Sequence, residues 1–164
     1  MTSYKNRGKA LEQLIEMANK QYKAKGLAIV TKVPVEKGFN KKQGYQFYKE
    51  ASTVDFVGIS IHKFGRMIAF DAKGTKQKSL PFSNIKAHQI EYLQNIKKHG
   101  GHAFFVVRFD FCDEIYVVDV DDVVTLMERD ERKSIPYSYF KDMAERVESK
   151  NGIVLDYLSI GGCT

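Results

Sequence analysis

At 164 residues with 43% apolar content, the chain is long enough for one sizeable core and too short for two, so we expect a single domain over residues 1–164. The net charge of +6 hides an asymmetry, because residues 1–109 hold 20 Lys and Arg against 7 Asp and Glu, whereas residues 110–164 hold 6 against 13. That basic part favours nucleic acid as partner over a membrane surface, although a solvated surface is the alternative. A cytoplasmic protein is expected, since the sequence contains no apolar run of about 18 residues and no signal-like start.

Hydrophobic spacing predicts an opening helix followed by a strand. Over residues 4–24, apolar residues recur at helical spacing and form one stripe: Leu11, Leu14, Ile15, Ala18 and Tyr22. Gly26 is typical of a helix end, and the β-branched run after it predicts a strand over residues 27–33.

Neither the helical nor the strand spacing of apolar residues continues through residues 34–51. We interpret these residues as a basic insertion that projects from the domain. The segment interleaves lysines with aromatic residues: Lys37, Lys41, Lys42 and Lys49 with Phe39, Tyr45, Phe47 and Tyr48. This combination suits nucleic acid, because cations hold phosphates and rings stack on exposed bases. The alternative is an ordinary long hairpin whose rings pack on its own core.

The rest of the chain predicts alternating strands and helices. Aromatic and β-branched runs predict strands over residues 52–59 and 67–73, joined as a hairpin by a turn at Gly65 and Arg66. After them we expect a loop over 74–81, a helix over 84–98 capped by Ser83 or Asn84, strands over 101–109 and 114–118, a short helix to residue 127 capped by Asp119 or Asp121, a last helix over 134–148 and an extended segment over 152–158. This order indicates an α/β fold, a mixed sheet flanked by helices.

The predicted hairpin brings two carboxylates and one lysine together. Asp71 and Lys73 alternate onto one face of their strand, about 7 Å apart, and Asp55 can meet them from the neighbouring strand. Two carboxylates with the backbone carbonyl of Ala72 form a hard oxygen site that suits Mg²⁺ or Mn²⁺. Lysine cannot ligate a cation, so its place there indicates metal-assisted hydrolysis of a phosphodiester by water. The alternative is a salt-bridged hairpin without chemistry.

Two more polar residues lie beside or within apolar rows. Glu12 is one position from the stripe of the first helix, where a third carboxylate can reach the metal, and a surface ion pair with Lys9 or with the neighbours of Glu16 is the alternative. Gln89 interrupts the inward row Ile85, Leu93 and Ile96, so its amide needs a partner. The metal site can be that partner, and a satisfied structural glutamine is the alternative.

Seven short motifs, in order and at sensible spacing, resemble the RecU-type Holliday-junction resolvases over nearly the whole chain. They are Asn6-Arg7-Gly8 with Leu11-Glu12, Ser52-Thr53-Val54-Asp55-Phe56, Phe70-Asp71-Ala72-Lys73-Gly74-Thr75, Leu80-Pro81-Phe82, His88-Gln89-Ile90, Arg132-Lys133-Ser134-Ile135 and Asp156-Tyr157-Leu158. A phage-encoded member of the family is one interpretation of this chain, and a bacterial one is the alternative.

The resemblance implies a restriction-endonuclease-like core of the PD-(D/E)xK type, acting as a homodimer on four-way DNA junctions. Such enzymes use magnesium or manganese to nick two opposed strands symmetrically. The resemblance also implies that residues 34–51 are a basic stalk that enters the centre of the junction.

The resemblance assigns roles to individual residues as well. Asp55 and Asp71 would be metal ligands, Lys73 the catalytic lysine, and Glu12 an accessory acidic residue at the metal. Gln89 would support the catalytic set. Residues expected to contact DNA are Arg7, Lys37, Lys41, Lys42, Thr53, Thr75 and Lys76.

Three positions depart from the family pattern. Asp71 stands where the family usually has Glu, which shortens the ligand by one methylene and can change metal preference. Val54 replaces a Thr and so lacks a hydroxyl that could touch DNA, and Gly74 replaces a Glu after the catalytic lysine. Two other functions therefore remain open: a related nuclease that reads linear duplex DNA, and a junction-binding recombination protein that has lost turnover.

Overall fold

The computed structural model describes residues 4–35, 37–40, 45–48, 53–129 and 131–159. The α-helices in this part are Tyr4–Ala24 (α1), Ala87–Lys98 (α2), Val120–Arg129 (α3) and Tyr137–Met143 (α4). The strands are Ala28–Lys32 (β1), Lys37–Asn40 (β2), Tyr45–Tyr48 (β3), Phe56–Ser60 (β4), Met67–Thr75 (β5), Ser79–Pro81 (β6), His102–Phe109 (β7), Glu114–Asp119 (β8), Ser134–Pro136 (β9) and Glu145–Val147 (β10).

A six-stranded sheet in the order β1-β4-β5-β7-β8-β10 forms the centre of the molecule. Its central pair, β5 and β7, is parallel, and the other neighbours pair antiparallel. Helix α2 makes the crossover that a parallel pair requires. The expected α/β fold, a mixed sheet flanked by helices, is thereby confirmed.

Helix α1 covers one face of the sheet with the stripe that its spacing predicts. Leu11, Ile15, Ala18 and Tyr22 are each at most 1% exposed. They pack on the even-numbered side chains of the central strands, where the rings of Phe56, Phe70 and Phe104 stack in sequence. This aromatic column anchors the helix over β4, β5 and β7.

The segment after β10 completes the same face. Tyr22 donates a hydrogen bond from its hydroxyl to Asp156 Oδ1 across 2.7 Å and accepts one from the backbone N–H of Leu158. Gln21 Oε1 accepts a hydrogen bond from the N–H of Val154 across 2.7 Å. The predicted extended segment over 152–158 is therefore a set of turns that buried polar groups attach to α1.

Helices α2, α3 and α4 cover the opposite face. Phe105, Val107 and Phe109 of β7 are fully buried beneath them, as a nearly continuous apolar run at the centre of a sheet predicts. Within the described residues, none of the helices combines the length and the apolar character needed to span a bilayer.

Residues of the predicted insertion form a hairpin of their own. Strands β2 and β3 pair antiparallel, with Lys37 opposite Tyr48 and Asn40 opposite Tyr45, and they constitute a sheet separate from the six-stranded one. The residues between and around these strands, Lys41 and Lys42 included, lie outside the described part of the chain.

Several helix boundaries differ from the prediction, most clearly the start of α2 and the end of α4. The predicted start at Ser83 or Asn84 is wrong, because residues 82–84 form a 3₁₀ turn, and the helix begins after Lys86, whose extended backbone acts as N-cap. The predicted last helix over 134–148 ends at Met143. Its final residues pair instead with β8 as an edge strand.

The predicted loop over 74–81 is largely strand. The parallel ladder with β7 continues through Gly74 and Thr75, which lie opposite Arg108 and Phe109. Residues 79–81 then pair with 134–136, a partner more than fifty positions away that local spacing does not reveal.

Candidate functional site

Asp55 lies immediately before β4, at a point that backbone bonds hold on both sides. Its carbonyl accepts a hydrogen bond from the N–H of Val33, at the end of β1, across 2.8 Å. Its side-chain Oδ2 accepts a hydrogen bond from the N–H of Ala72 in β5 across 2.9 Å. The carboxylate of Asp55 therefore lies against the segment that carries Asp71 and Lys73.

Asp71 and Lys73 project from the same side of β5, as strand alternation requires. Asp71 is 1% exposed, and its Oδ2 lies 2.5 Å from Nζ of Lys73. This oxygen has an ion-pair partner but no hydrogen bond with any described residue. The predicted association of the two carboxylates with one lysine is present in the structure.

Gln89, in the first turn of α2, connects the members of this set. Its Nε2 donates to Asp71 Oδ1 across 2.9 Å. Its Oε1 accepts from Lys73 Nζ across 2.9 Å and from the backbone N–H of Lys86 across 3.1 Å. The amide that interrupts an apolar row is thus fully engaged, with the site and with the start of its own helix.

The electrostatics of the set oppose two buried charges. Burial, together with the neighbouring charge of Asp71, raises the pKa of Asp55 to about 6. Burial also raises the pKa of the Asp71 carboxyl above its usual range, against the ion pair with Lys73, which lowers it. The raised pKa values mean that the positive charge of Lys73 alone does not compensate for the burial of the two carboxylates.

A divalent cation fits this arrangement on the chemistry of its donors. Carboxylate oxygens from Asp55 and Asp71 are the hard ligands that Mg²⁺ and Mn²⁺ prefer, and Asp71 Oδ2 is buried without a hydrogen bond among the described residues. Among those residues, no group of three or more His, Cys, Asp or Glu side chains is arranged to hold a metal. Water and substrate oxygens would complete the coordination.

Glu12 forms an ion pair, as its alternative interpretation describes, but the partner is Lys32 of β1. Its Oε2 lies 2.5 Å from Nζ of Lys32, which also contacts Glu16 across 3.1 Å. These contacts raise the pKa of Lys32, the hydrogen bond to Glu12 contributing most. Within the described part of the chain, Glu12 forms no metal-binding group with Asp55 and Asp71. Lys32 was missed in the sequence, because it meets Glu12 and Glu16 from a different element.

The residues predicted to contact DNA differ in their exposure to solvent. Thr53 and Lys76 are exposed. Thr75 is buried, and its hydroxyl donates to the carbonyl of Ser79 and accepts from the N–H of Gln77, which leaves it shaping the turn and not facing DNA. Side-chain positions of Arg7 and Lys37 lie outside the described part, as do Lys41 and Lys42 entirely.

Val54 explains one departure from the family pattern. Its side chain is fully buried in the apolar cluster beneath α2–α4. A hydroxyl at this position would face the core, so its replacement by an apolar side chain removes no surface group.

Together, these contacts define an acid–acid–lysine site, bridged by one amide, on the central strands of an α/β protein. A family model described as "Recombination protein U" matches residues 6–161. The chain belongs to this RecU family.

Individual relatives agree with that assignment. A protein named Holliday junction resolvase RecU from Geobacillus sp. (strain WCH70) is 31% identical, over 96% of this chain and 84% of the relative. The protein of the same name from Shouchella clausii (strain KSM-K16) is 32% identical, over 95% and 79%. Among solved structures, the Holliday junction resolvase Hjc of Archaeoglobus fulgidus is 16% identical, with a TM-score of 0.48 over 80% of this chain and 94% of that one.

Proposed function

We propose that this protein is a structure-selective endodeoxyribonuclease that resolves four-way DNA junctions by metal-dependent hydrolysis of phosphodiester bonds. The observation that carries the proposal is the contact set of Asp55, Asp71, Lys73 and Gln89. Membership of a family whose named relatives are Holliday junction resolvases supports it. So does the excess of basic residues in residues 1–109.

In this mechanism Asp55 and Asp71 hold the cation, Mg²⁺ or in its place Mn²⁺. When bound, the metal lowers the pKa of coordinated water and offsets the charge of the phosphate. Both carboxylates must be ionised for this, and the charge of a bound cation would offset the burial that raises the pKa of both groups and the Asp71 charge that further raises the pKa of Asp55.

Lys73 contributes a second positive charge besides that of the cation, and its ammonium group is not a metal ligand. Its Nζ lies between Asp71 Oδ2 and Gln89 Oε1, so it is oriented at the edge of the carboxylate pair and not free to rotate. From there the ammonium group orients the attacking water or stabilises the charge that develops on the phosphate. Gln89 keeps both partners of this ion pair in place.

The protein would act as a homodimer in the cytoplasm, on DNA. A four-way junction has twofold symmetry, and a C2 dimer supplies one site for each of two opposed strands. The hairpin of β2 and β3, within the basic insertion 34–51, is the stalk that would enter the junction. Arg7, Thr53 and Lys76, together with Lys37, Lys41 and Lys42 of the insertion, are proposed to contact the DNA backbone.

A cleavage assay on a mobile four-way junction with Mg²⁺ or Mn²⁺ tests the proposal. Paired nicks in opposed strands are expected, and Asp55→Asn, Asp71→Asn and Lys73→Met should each lower the rate by at least about 10²-fold while junction binding persists. Asp113→Asn, at an exposed aspartate, is the matched control and should cut normally.

Other outcomes point to the two alternatives. Tight junction binding without cleavage in any divalent metal would identify a non-catalytic recombination protein. Faster cleavage of linear duplex than of branched DNA would identify a nuclease of different selectivity. An Asp55→Asn variant that cleaves the junction as fast as the wild type would show that the site is wrongly assigned.

A further inference from the structure

An exposed apolar surface lies on the sheet beyond the cover of α2–α4. We call it the Ile59 patch, and it consists of Ile29, Ile59, Ile61, Phe64 and Met67. Each of these side chains is between 39% and 73% exposed. Met67 shares its side of β5 with Ala69, which is buried under the helices. The patch thus continues the core face past the point where its helical cover ends.

Strand register makes the centre of the patch continuous. Ile29 of β1 lies opposite Ile59 of β4, and Ile59 lies opposite Met67 of β5. Three large apolar side chains therefore form a row across three neighbouring strands, where solvent-facing positions would ordinarily be polar.

The exposed area is in the range that a dimer needs. The five side chains together expose on the order of 500 Å² of apolar surface, at the upper end for a monomer. A standard interface buries about 800 Å² per partner, of which roughly 60% is apolar, so the patch supplies the apolar part of one such interface. Phosphates of DNA gain nothing from a surface of this kind.

The patch contains both a cavity and a projecting aromatic ring. Ile29, Ile59 and Ile61 line a cavity of about 390 Å³, which is larger than a phenylalanine side chain. Gly65 lines the same cavity, and the preceding residue, Phe64, has the left-handed conformation, with φ of 54°, and is 73% exposed. A large apolar residue rarely adopts this conformation, and here it holds a ring in solvent next to a hollow of matching character.

We infer that the Ile59 patch is the surface on which a second copy of this chain docks, with Phe64 of each copy entering the cavity of the other. Such reciprocal contact is the isologous arrangement of a C2 dimer. The inference rests on the proposed function, which calls for a homodimer, and adds the surface to it. Ile59 is four residues from Asp55, about 13 Å at strand rise, so the patch itself does not include the carboxylates.

Phe64→Asn provides the sharpest test. Asparagine tolerates the left-handed conformation better than phenylalanine, so the variant should lose the projecting ring without losing the fold. Sedimentation equilibrium of the full chain without DNA should show a dimer for the wild type and a dimer dissociation constant at least about 100-fold higher for Phe64→Asn. Ile59→Asp should act in the same direction. Met143→Asn, at a residue 70% exposed elsewhere, should leave the dimer intact.

The outcomes separate this inference from the proposed function. A Phe64→Asn variant that remains dimeric with wild-type affinity would overturn the assignment of the patch and leave the nuclease proposal untouched. A monomeric wild type would overturn both the patch and the homodimer. A dimer that responds to Phe64→Asn as expected, yet cuts no DNA, would support the patch while refuting the catalytic proposal.

Discussion

Gln89 donates a hydrogen bond from Nε2 to Asp71 Oδ1 across 2.9 Å, and this contact determines which oxygen of the carboxylate is available to a cation. With Oδ1 engaged, Oδ2 is the oxygen that faces Lys73 and has no hydrogen bond among the described residues. The side-chain amide of Gln89 on α2 therefore fixes the orientation of the Asp71 carboxylate on β5.

Gln89→Leu should lower the cleavage rate by roughly 10- to 100-fold with little change in junction affinity, because Asp71 and Lys73 lose their common partner while DNA-contacting surfaces stay intact. Single-turnover cleavage at saturating metal, alongside a binding titration, measures both effects. Gln94→Leu, on the same helix but five positions on and so on another side, is the matched control. Equal rates for the two variants would show that the amide has no role in catalysis.

Asp55→Asn should stabilise the metal-free protein at pH 7.5. The pKa of Asp55 is raised to about 6, so the folded state holds this proton more tightly than the unfolded state, and its contribution to stability declines as pH rises from about 4 to above 6. The amide never ionises, so the variant avoids that loss, worth about 1–3 kcal/mol. Denaturation at pH 4 and pH 7.5 measures it, with near-equal stabilities expected at pH 4.

Cation binding supplies the complementary measurement. Mg²⁺ or Mn²⁺ should raise the melting temperature of the wild type at pH 7.5, since a ligand that binds only the folded state stabilises it by mass action. The Asp55→Asn variant should show little of this increase. An identical metal response in both proteins would mean that the cation binds elsewhere.

Substitution should destabilise the protein at one glycine and have almost no effect on stability at another. A Cβ at Gly58 would lie 2.2 Å from the carbonyl oxygen of Ile29, so Gly58→Ala should separate β1 from β4 and cost about 1–3 kcal/mol or more. A Cβ at Gly74 meets nothing within 4 Å, so Gly74→Glu, which restores the usual family residue, should change stability by no more than about 0.5 kcal/mol. Urea denaturation of both variants gives the comparison.

Tyr22→Phe should destabilise the attachment of the C-terminal segment to α1. The hydroxyl donates to Asp156 and accepts from the N–H of Leu158, and both partners are buried, so its removal should cost about 1–3 kcal/mol. Hydrogen exchange should locate the loss at residues 153–158. Tyr92→Phe, at a half-buried tyrosine of α2, should have a smaller effect.

Replacing residues 37–48 by a short Gly-Ser linker should weaken branched-DNA selectivity more than affinity for linear duplex. The basic hairpin is proposed to fill the open centre of a junction, which linear DNA lacks. Competition binding with the two DNA forms measures the ratio. Equal losses on both substrates would reduce the insertion to general electrostatic attraction.

Much of this structure could be predicted from the spacing of residues that are close in the sequence. The stripe of α1 and the strand pair around Asp55 and Asp71 depend on spacing within a few residues, so periodicity predicted them. Gln89 was identified because a polar side chain in an apolar row requires a partner.

Features that depend on distant partners were not predictable in this way. Strands β6 and β9 have three residues each and exist only because they pair with one another. Lys32 meets Glu12 across the interface of helix and sheet, a contact that no local spacing encodes. The buried position of Thr75 likewise follows from the length of the β5–β7 ladder.

The hydrogen bond from Val33 N–H to the carbonyl of Asp55 joins the two ends of the insertion at its root. Insertions or deletions between these two residues can lengthen or shorten the basic insertion without disturbing the sheet, because its two ends are hydrogen-bonded to each other. If DNA pulls on the insertion as proposed, the force would enter the sheet where β1 ends and β4 begins, at Val33 and Asp55. The position of the bound substrate would then be linked mechanically to the Asp55 carboxylate.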